Sequence, residues 1–225
     1  MVDTSPLWPS RTDHAIWFYG ALAAKLGATW PMPRPFLIGI RGVALGANAS
    51  HETRSKAGYD DSFCLCQAGK MHTLFRGSSH AYQLFSKLSP DVNHDGVGDV
   101  ATINPGRYVC TWKMDDGVGC PVFEITLPNG GKDLPAARDV NHDGLADAGP
   151  YTANAVLFHT GFDAPAGAAH GSSIACQTTS LANLKLMKAA GHVIDYVLIT
   201  AEEAVRIVSE MPPWDEIALD AGSVA

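Results

Sequence analysis

Apolar residues occur in this chain in short runs, and glycine or proline interrupts the sequence between them. Hydrophobic residues make up 46% of the chain, and 22 glycines and 14 prolines are spread along it. The apolar runs at residues 36–41, 153–159 and 193–200 have the length of buried strands. The pattern predicts a turn-rich, mainly β fold with peripheral helices, of the α+β class, built on one main domain.

One nine-residue pattern occurs twice, at residues 91–99 and 139–147. In both copies, oxygen-bearing side chains alternate around a central glycine, as in the first nine positions of an EF-hand calcium loop. Thr102 and Pro150 stand at position twelve, where an EF-hand has a bidentate glutamate. A solvated Asx turn is the alternative, but the repetition favours one or two structural Ca²⁺ ions. The predicted ligands are the side chains of Asp91, Asn93, Asp95, Asp99, Asp139, Asn141, Asp143 and Asp147, and the carbonyls of Val97 and Leu145.

A histidine and a cysteine stand at the two ends of a loop rich in glycine and alanine. His159 closes an apolar run that reads as a strand, and Cys176 follows the loop. An imidazole that takes the thiol proton makes the thiolate a nucleophile, so the pair is a candidate for covalent catalysis. The alternative is an unreactive buried cysteine, because cysteine is among the most buried residue types. His170, inside the loop, is the rival base.

The motif around this pair resembles that of a known family. His159-Thr160 and Ser173-Ile174-Ala175-Cys176 are similar to the signature of L,D-transpeptidase (YkuD-like) catalytic domains. Ile174 and Ala175 stand where that signature has a histidine and a glycine. The chain also resembles a group of phage and bacterial proteins through three segments in the same order, which are Gly39-Ile40-Arg41-Gly42, Tyr59-Asp60-Asp61 and Ala175-Cys176-Gln177.

The resemblance implies an L,D-transpeptidase-like β-sandwich or partly open barrel, and an enzyme that acts on the stem peptides of peptidoglycan. Cys176 would form a thioester with a stem-peptide carbonyl, His159 would be general base and then general acid, and the Thr160 carbonyl would orient the imidazole. Backbone N–H groups near Ala175 and Cys176 would stabilise the oxyanion, and Ser173 would shape the loop. The thioester is then hydrolysed or transferred, and the departures from the signature favour hydrolysis.

Four further residues are predicted to bind substrate or to orient a catalytic group, namely Arg41, Asp60, Asp61 and Gln177. A surface salt bridge at the end of a strand is the alternative for the arginine and the two aspartates. Two other functions stay open for the whole chain. One is a calcium-stabilised cell-wall-binding or virion module without catalysis, and the other is a cysteine peptidase or amidase that acts on another substrate.

Charge and hydropathy limit the partners and the location. The net charge of −7 argues against a nucleic-acid partner, and no apolar stretch is long enough to span a membrane. The apolar N-terminal stretch follows acidic residues, so we read it as a helix rather than a signal peptide. The protein is therefore expected to be made in the cytoplasm and to act in the periplasm or at the cell wall, after export or release by a secretion or phage apparatus.

The chain is predicted to have three parts. Residues 1–35 form a helix capped by Asp13 and a proline-rich link, residues 36–212 form the catalytic domain with two inserted calcium loops, and residues 213–225 form a loose tail. Within the domain we expect a hairpin (107–113 and 121–127), helices at 181–190 and 202–209, and a strand at 193–200. Cys110 and Cys120 flank the hairpin turn, so they either form a disulfide or stay reduced.

Overall fold

The computed structural model describes residues 1–8, 12–28, 33–52, 59–67, 72–81, 89–115, 120–160 and 175–212. Within these ranges the chain is mainly β, with a short 3₁₀ turn at Ser5–Leu7. The helices are α1 (Thr12–Lys25), α2 (Leu181–Ala190) and α3 (Ala201–Ser209). The strands are β1 (Phe36–Arg41), β2 (Asp61–Cys66), β3 (Thr73–Ser78), β4 (Ala101–Ile103), β5 (Gly106–Asp115), β6 (Cys120–Thr126), β7 (Leu134–Arg138), β8 (Asp147–Ala153), β9 (Leu157–Thr160), β10 (Gln177–Thr179) and β11 (Val193–Thr200).

Eight of the strands form a closed barrel in the order β1-β11-β5-β6-β9-β10-β3-β2. The pairs β1–β11 and β9–β10 are parallel, and the other neighbouring pairs are antiparallel. The predicted mainly β fold is confirmed, but the predicted sandwich or partly open barrel is not what forms. Because β1 pairs with β2 on one side and with the late strand β11 on the other, this sheet has no free edge.

The barrel interior is filled by alternate side chains of its strands, as the two-residue period of a strand requires. Phe63 and Phe158 meet edge to face at 5.2 Å between ring centroids, and Phe158 also packs against Tyr196. Leu184 and Met187 of α2 join the same apolar cluster. The interior is thus a packed core rather than a ligand channel.

A second apolar cluster lies outside the barrel, where α1 and α3 cover β1, β2 and β11. Phe18 and Leu22 of α1 pack in it with Ile38 of β1 and Val197 of β11. The N-terminal helix, which the sequence separates from the domain at 36–212, therefore shares a core with the barrel. It begins at Thr12, so Asp13 lies within its first turn and is not the capping residue.

The strands β4, β7 and β8 form a small separate sheet that the sequence did not predict. Proline and glycine within β7 and β8 hide the alternation by which a strand is recognised. Ala101, Ile103 and Ala136 attach this sheet to the core of the barrel. Both nine-residue loops border it, since β4 follows the first loop and the second connects β7 to β8.

Several predicted elements are confirmed, and one alternative that the sequence left open is decided. Strands at 36–41 and 193–200, the hairpin of β5 and β6, and a helix at 181–190 all form. A Cys110–Cys120 disulfide does not form, because Cys110 is a buried free thiol. In the hairpin register Cys110 lies opposite Ile125, whereas Cys120 lies opposite Asp115 near the turn.

One end of the barrel, which we call the upper rim, collects most of the residues singled out by the sequence. The strands β1, β3 and β11 end there, while β2, β5, β9 and β10 begin there. The residues that mark the upper rim are Arg41, Asp61, Ser78, Gly106, Leu157, Gln177 and Thr200. The predicted tail at 213–225 lies outside the described residues, and no described helix has the length and apolarity needed to cross a membrane.

Gly77 and Gly20 offer a test of how tightly the barrel is packed. A Cβ at Gly77 would lie 2.7 Å from the Thr178 carbonyl oxygen and 2.7 Å from the Phe63 ring, whereas a Cβ at Gly20 in α1 would come no closer than 3.4 Å to His72. Gly77→Ala is expected to lower the free energy of unfolding by about 1–3 kcal/mol. Gly20→Ala, its control, should be neutral or stabilising by about 0.5–1 kcal/mol. Urea denaturation measures both, and equal effects would contradict this packing.

Candidate functional site

Cys176 and His159 lie on neighbouring strands at the upper rim. In the parallel pair β9–β10, Gln177 lies opposite Phe158 and Thr178 lies opposite His159. Cys176, one residue before β10, therefore stands beside Leu157, two residues before His159. Offset by two residues on adjacent strands, the two Cα atoms are about 8 Å apart, so the fold brings the predicted nucleophile and base to one place.

The thiol of Cys176 is partly exposed, unlike those of Cys64, Cys66 and Cys110, which are buried. The backbone N–H of Leu157 donates to Cys176 Sγ at 3.3 Å, and the carbonyl oxygen of Ala155 lies 3.9 Å from the same sulfur. A hydrogen bond donated to sulfur stabilises the negative charge of a thiolate. The start of β9 therefore supplies a donor for the charged form of this thiol.

His159 has one ring nitrogen committed to the backbone. Its Nδ1 lies 2.6 Å from the carbonyl oxygen of Thr160, the contact that the family resemblance implies. A carbonyl oxygen only accepts, so Nδ1 carries the proton and the lone pair of a neutral imidazole is on Nε2. The ring is thereby held in the tautomer that can take a proton from a thiol.

The outer face of the barrel carries this chemistry. Phe158 and Gln177 point into the interior, so by strand alternation His159 and Thr178 point outward. Ser78 lies opposite Thr178, which makes a polar row of Ser78, Thr178 and His159 across three strands. The hydroxyl of Thr178 is buried and has no hydrogen-bond partner. Predicted residues Ser173 and His170 lie outside the described residues.

Two residues beside Cys176 are buried. Ala175 is 8% exposed and belongs to the interior apolar cluster. Gln177 is fully buried, and its Oε1 accepts a hydrogen bond of 2.6 Å from the hydroxyl of Tyr196. Strand alternation therefore turns the Gln177 side chain into the barrel, and its predicted contact with substrate stays a prediction.

Arg41 and Asp61 are joined through Ser79 rather than by direct contact. Arg41 Nε donates to Ser79 Oγ at 2.8 Å, and Ser79 Oγ donates to Asp61 Oδ2 at 2.7 Å. Asp61 also accepts from the backbone N–H groups of Gly42 and Ser79, at 2.7 Å each. Since both its oxygens are hydrogen-bonded and it is fully buried, Asp61 holds the strand ends together in this structure. Its predicted role toward substrate or a catalytic group stays a prediction.

Asp60 pairs with a histidine that sequence reasoning did not select. His80 Nε2 lies 2.7 Å from Asp60 Oδ1, and His80 is almost fully buried. Burial alone would lower the pKa of His80, but the hydrogen bond to Asp60 and the charges of Asp61 and Asp60 raise it above its ordinary value. Only the β2–β3 register brings these residues together, so no local sequence signal marks the pair.

The residues His51, Asp60 and Asp61 bring three metal-type ligand atoms within 4.8 Å of one another. Asp61 has both oxygens hydrogen-bonded, and Asp60 is engaged by His80 and lies near His51. A cation would have to displace these bonds. The cluster therefore fits a hydrogen-bond network better than a metal centre.

The two nine-residue loops share their positive-φ positions and most of their internal hydrogen bonds. His94 and His142 have φ of 63° and 58°, and Gly96 and Gly144 both have φ of 90°. In each loop the first aspartate accepts a hydrogen bond from the glycine N–H, and the asparagine accepts one from the N–H of the second aspartate. The last aspartate accepts one from the N–H of the valine at the second position. Side-chain oxygens are thus turned toward the centre of each loop, as a cation site requires.

Two carboxylate oxygens of these loops are buried and have no hydrogen-bond partner, namely Oδ1 of Asp99 and Oδ1 of Asp139. Burial raises the pKa of Asp139, and nearby Asp143 raises it further, against the Gly144 N–H that lowers it. An unpaired buried carboxylate oxygen is costly in a protein. A bound cation would supply the missing partner, so these oxygens fit the predicted ligand sets.

The loops also contact each other. Asn93 Nδ2 donates to the Val140 carbonyl at 2.7 Å, and His142 Nε2 lies 3.1 Å from Asp95 Oδ2. Among the described residues, β4 follows the first loop, and β7 and β8 flank the second, whereas two helices flank the loop of an EF-hand. They form one paired unit against the small sheet.

Searches against protein-family models, curated proteins and solved structures found no match for this chain. The L,D-transpeptidase resemblance therefore stays a prediction, which depends on the motif around His159 and Cys176.

The Asp60–His80 pair predicts a pH-dependent stability. Because the folded pKa of His80 is raised, the pair stabilises the fold fully below the unfolded pKa of histidine and loses that effect as pH rises through the folded pKa. Asp60→Asn should lower the pKa of His80, measured by NMR titration. It should also reduce the free energy of unfolding by about 1–3 kcal/mol near pH 6, with a smaller loss at higher pH. Asp195→Asn, at a half-buried carboxylate of β11, is the control, and an unchanged His80 pKa in Asp60→Asn would contradict the pairing.

Proposed function

We propose that this protein is a cysteine-dependent acyl-transfer enzyme that acts on the stem peptides of peptidoglycan. The observation that carries the proposal is the arrangement of a partly exposed Cys176 beside the strand of His159, whose Nδ1 is held by the Thr160 carbonyl. The reaction type follows from these two side chains. The substrate class follows from the motif resemblance alone.

The reaction has two halves. Nε2 of His159 takes the proton of the Cys176 thiol, and the thiolate sulfur attacks a peptide carbonyl carbon to form a tetrahedral oxyanion. As the C–N bond breaks, the imidazolium gives its proton to the leaving amine, and a thioester remains. Water, or the amine of a second peptide, then attacks the thioester, and its proton returns through His159 to the thiol. Water gives hydrolysis, which we favour because Ile174 replaces the second histidine of the transpeptidase signature.

We also propose that the loops at 91–99 and 139–147 each bind one Ca²⁺ ion. Their matching backbones, inward oxygens and unpaired buried carboxylate oxygens support this proposal. When bound, the ion would balance the negative charge of the clustered carboxylates. It would stiffen the region beside the upper rim and take no part in the chemical step. Extracellular calcium concentrations would fill such loops after export.

The cysteine mechanism is tested by digesting purified peptidoglycan and analysing the muropeptides by mass. Cys176→Ser is expected to lower the rate by at least about 10³-fold, and His159→Gln by about 10²–10⁴-fold. Cys64→Ala, which removes a thiol buried beneath the N-terminal helix, is the control and should keep near-normal activity. Full activity in Cys176→Ser would refute the mechanism and favour the non-catalytic wall-binding module.

Calcium binding is tested by calorimetric unfolding with millimolar CaCl₂ or with chelator. A free Ca²⁺ concentration of about 100 times Kd should raise the free energy of unfolding of the wild type by about 2.7 kcal/mol per site. Asp139→Asn should lose part of that gain, yet be more stable than the wild type in chelator, because it removes a buried negative charge of which one oxygen has no hydrogen-bond partner. Asp133→Asn, at an exposed carboxylate outside both loops, should behave as the wild type. Identical unfolding with calcium and chelator would rule out the calcium sites.

A further inference from the structure

A pocket of about 410 Å³ lies between the upper rim and the small sheet. Its walls include Arg41 and His80 from the rim, Thr102 and Ala137 from β4 and β7, and Leu145 from the second nine-residue loop. Thr102 and Ala137 are paired across β4 and β7, so one face of the small sheet forms a wall. The volume suits one amino-acid residue with its flanking groups.

Arg41 is the unusual group in this pocket. It is 9% exposed, and within the described ranges no carboxylate oxygen lies within 4.0 Å of its guanidinium. Its Nε donates to Ser79 Oγ, and its Nη2 donates to the carbonyls of Ser79 and Ile103. Nη1 makes no hydrogen bond with any residue of the described chain. A buried arginine with a free N–H group at a pocket wall is a donor prepared for an anion.

The other charged groups near the pocket do not neutralise the positive charge of Arg41. Asp61 is reached only through Ser79 and has its oxygens occupied, so it offers nothing to a ligand. His80 is balanced by Asp60 at 2.7 Å. Glu52 also lines the pocket but is exposed, and water screens an exposed carboxylate far more than a buried guanidinium.

We propose that this pocket binds the carboxylate of a peptide, with Nη1 of Arg41 as its principal donor. The inference rests on the proposed function, because it names the group by which the substrate peptide is held. Arg41 and Cys176 lie at the same end of the barrel, so a peptide anchored by its carboxylate is held at the end that carries the thiol. The second nine-residue loop, through Leu145 and Ala146, forms the outer wall.

The test measures binding without catalysis, in the full-length Cys176→Ala protein with calcium present. The probes are N-acetylalanine and its uncharged amide, N-acetylalaninamide, titrated by NMR. The acid should bind, and the amide should bind about tenfold or more weakly, as expected for a lost charge-assisted hydrogen bond. Ala137→Leu, which fills the pocket without touching Arg41, should weaken acid binding by about tenfold or more. Ala148→Leu, at an exposed position of β8 outside the pocket wall, is the matched control.

If Ala137→Leu does not fold, Ala146→Phe at the exposed rim of the pocket replaces it, with the same expected loss. Equal affinity for acid and amide, no binding of either probe, or undiminished binding in the pocket-filling variant would each overturn the proposal. Because the test background lacks the nucleophile, a negative result here leaves the cysteine mechanism standing. Conversely, if the wild type does not act on peptidoglycan but the acid probe binds, the proposed function fails and the carboxylate-binding pocket stands.

Discussion

The buried ion network at the upper rim is the constraint that the rest of the structure depends on. Asp61 is fully buried and accepts three hydrogen bonds, and Arg41 donates three. Charges removed from water must be met by such bonds, or the fold loses several kcal/mol. These bonds connect the end of β1, the start of β2, the segment after β3 and, through the Ile103 carbonyl, the small sheet. The rim is therefore held in one arrangement.

Strand alternation at this rim separates two kinds of chemistry. Side chains that point inward, such as Arg41, Asp61 and Gln177, are buried and hold the core together. Of these three, only Arg41 also borders the pocket beside the small sheet. Side chains that point outward, such as His159 and Thr178, lie on the outer face of the barrel, although both are buried there, at 5% and 0% exposure. Cys176, placed just before β10 begins, is on the outer side and partly exposed. A shift of one residue in either strand would bury the nucleophile and expose the core.

Local sequence patterns predicted those elements whose conformation depends on residues close together in the chain. The lengths of β1, β11 and α2 were predictable because their apolar periodicity and the flanking glycine and proline act within a few residues. The two nine-residue loops were recognisable for the same reason, since the turn is made by their own side chains and by Gly96 and Gly144. The small sheet was not, because the alternation in β7 and β8 is broken and their pairing is long-range.

By itself, the sequence determined the mainly β class, the candidate pair His159 and Cys176, and the loops with calcium-type ligands. Tertiary structure alone decided the closure of the barrel, the free state of Cys110 and the direction in which each rim side chain points. It also paired His80 with Asp60 and separated Arg41 from Asp61 by the Ser79 hydroxyl. The physical reason is that register between strands far apart in the chain sets these contacts, and register is fixed by packing of the whole core rather than by any local preference.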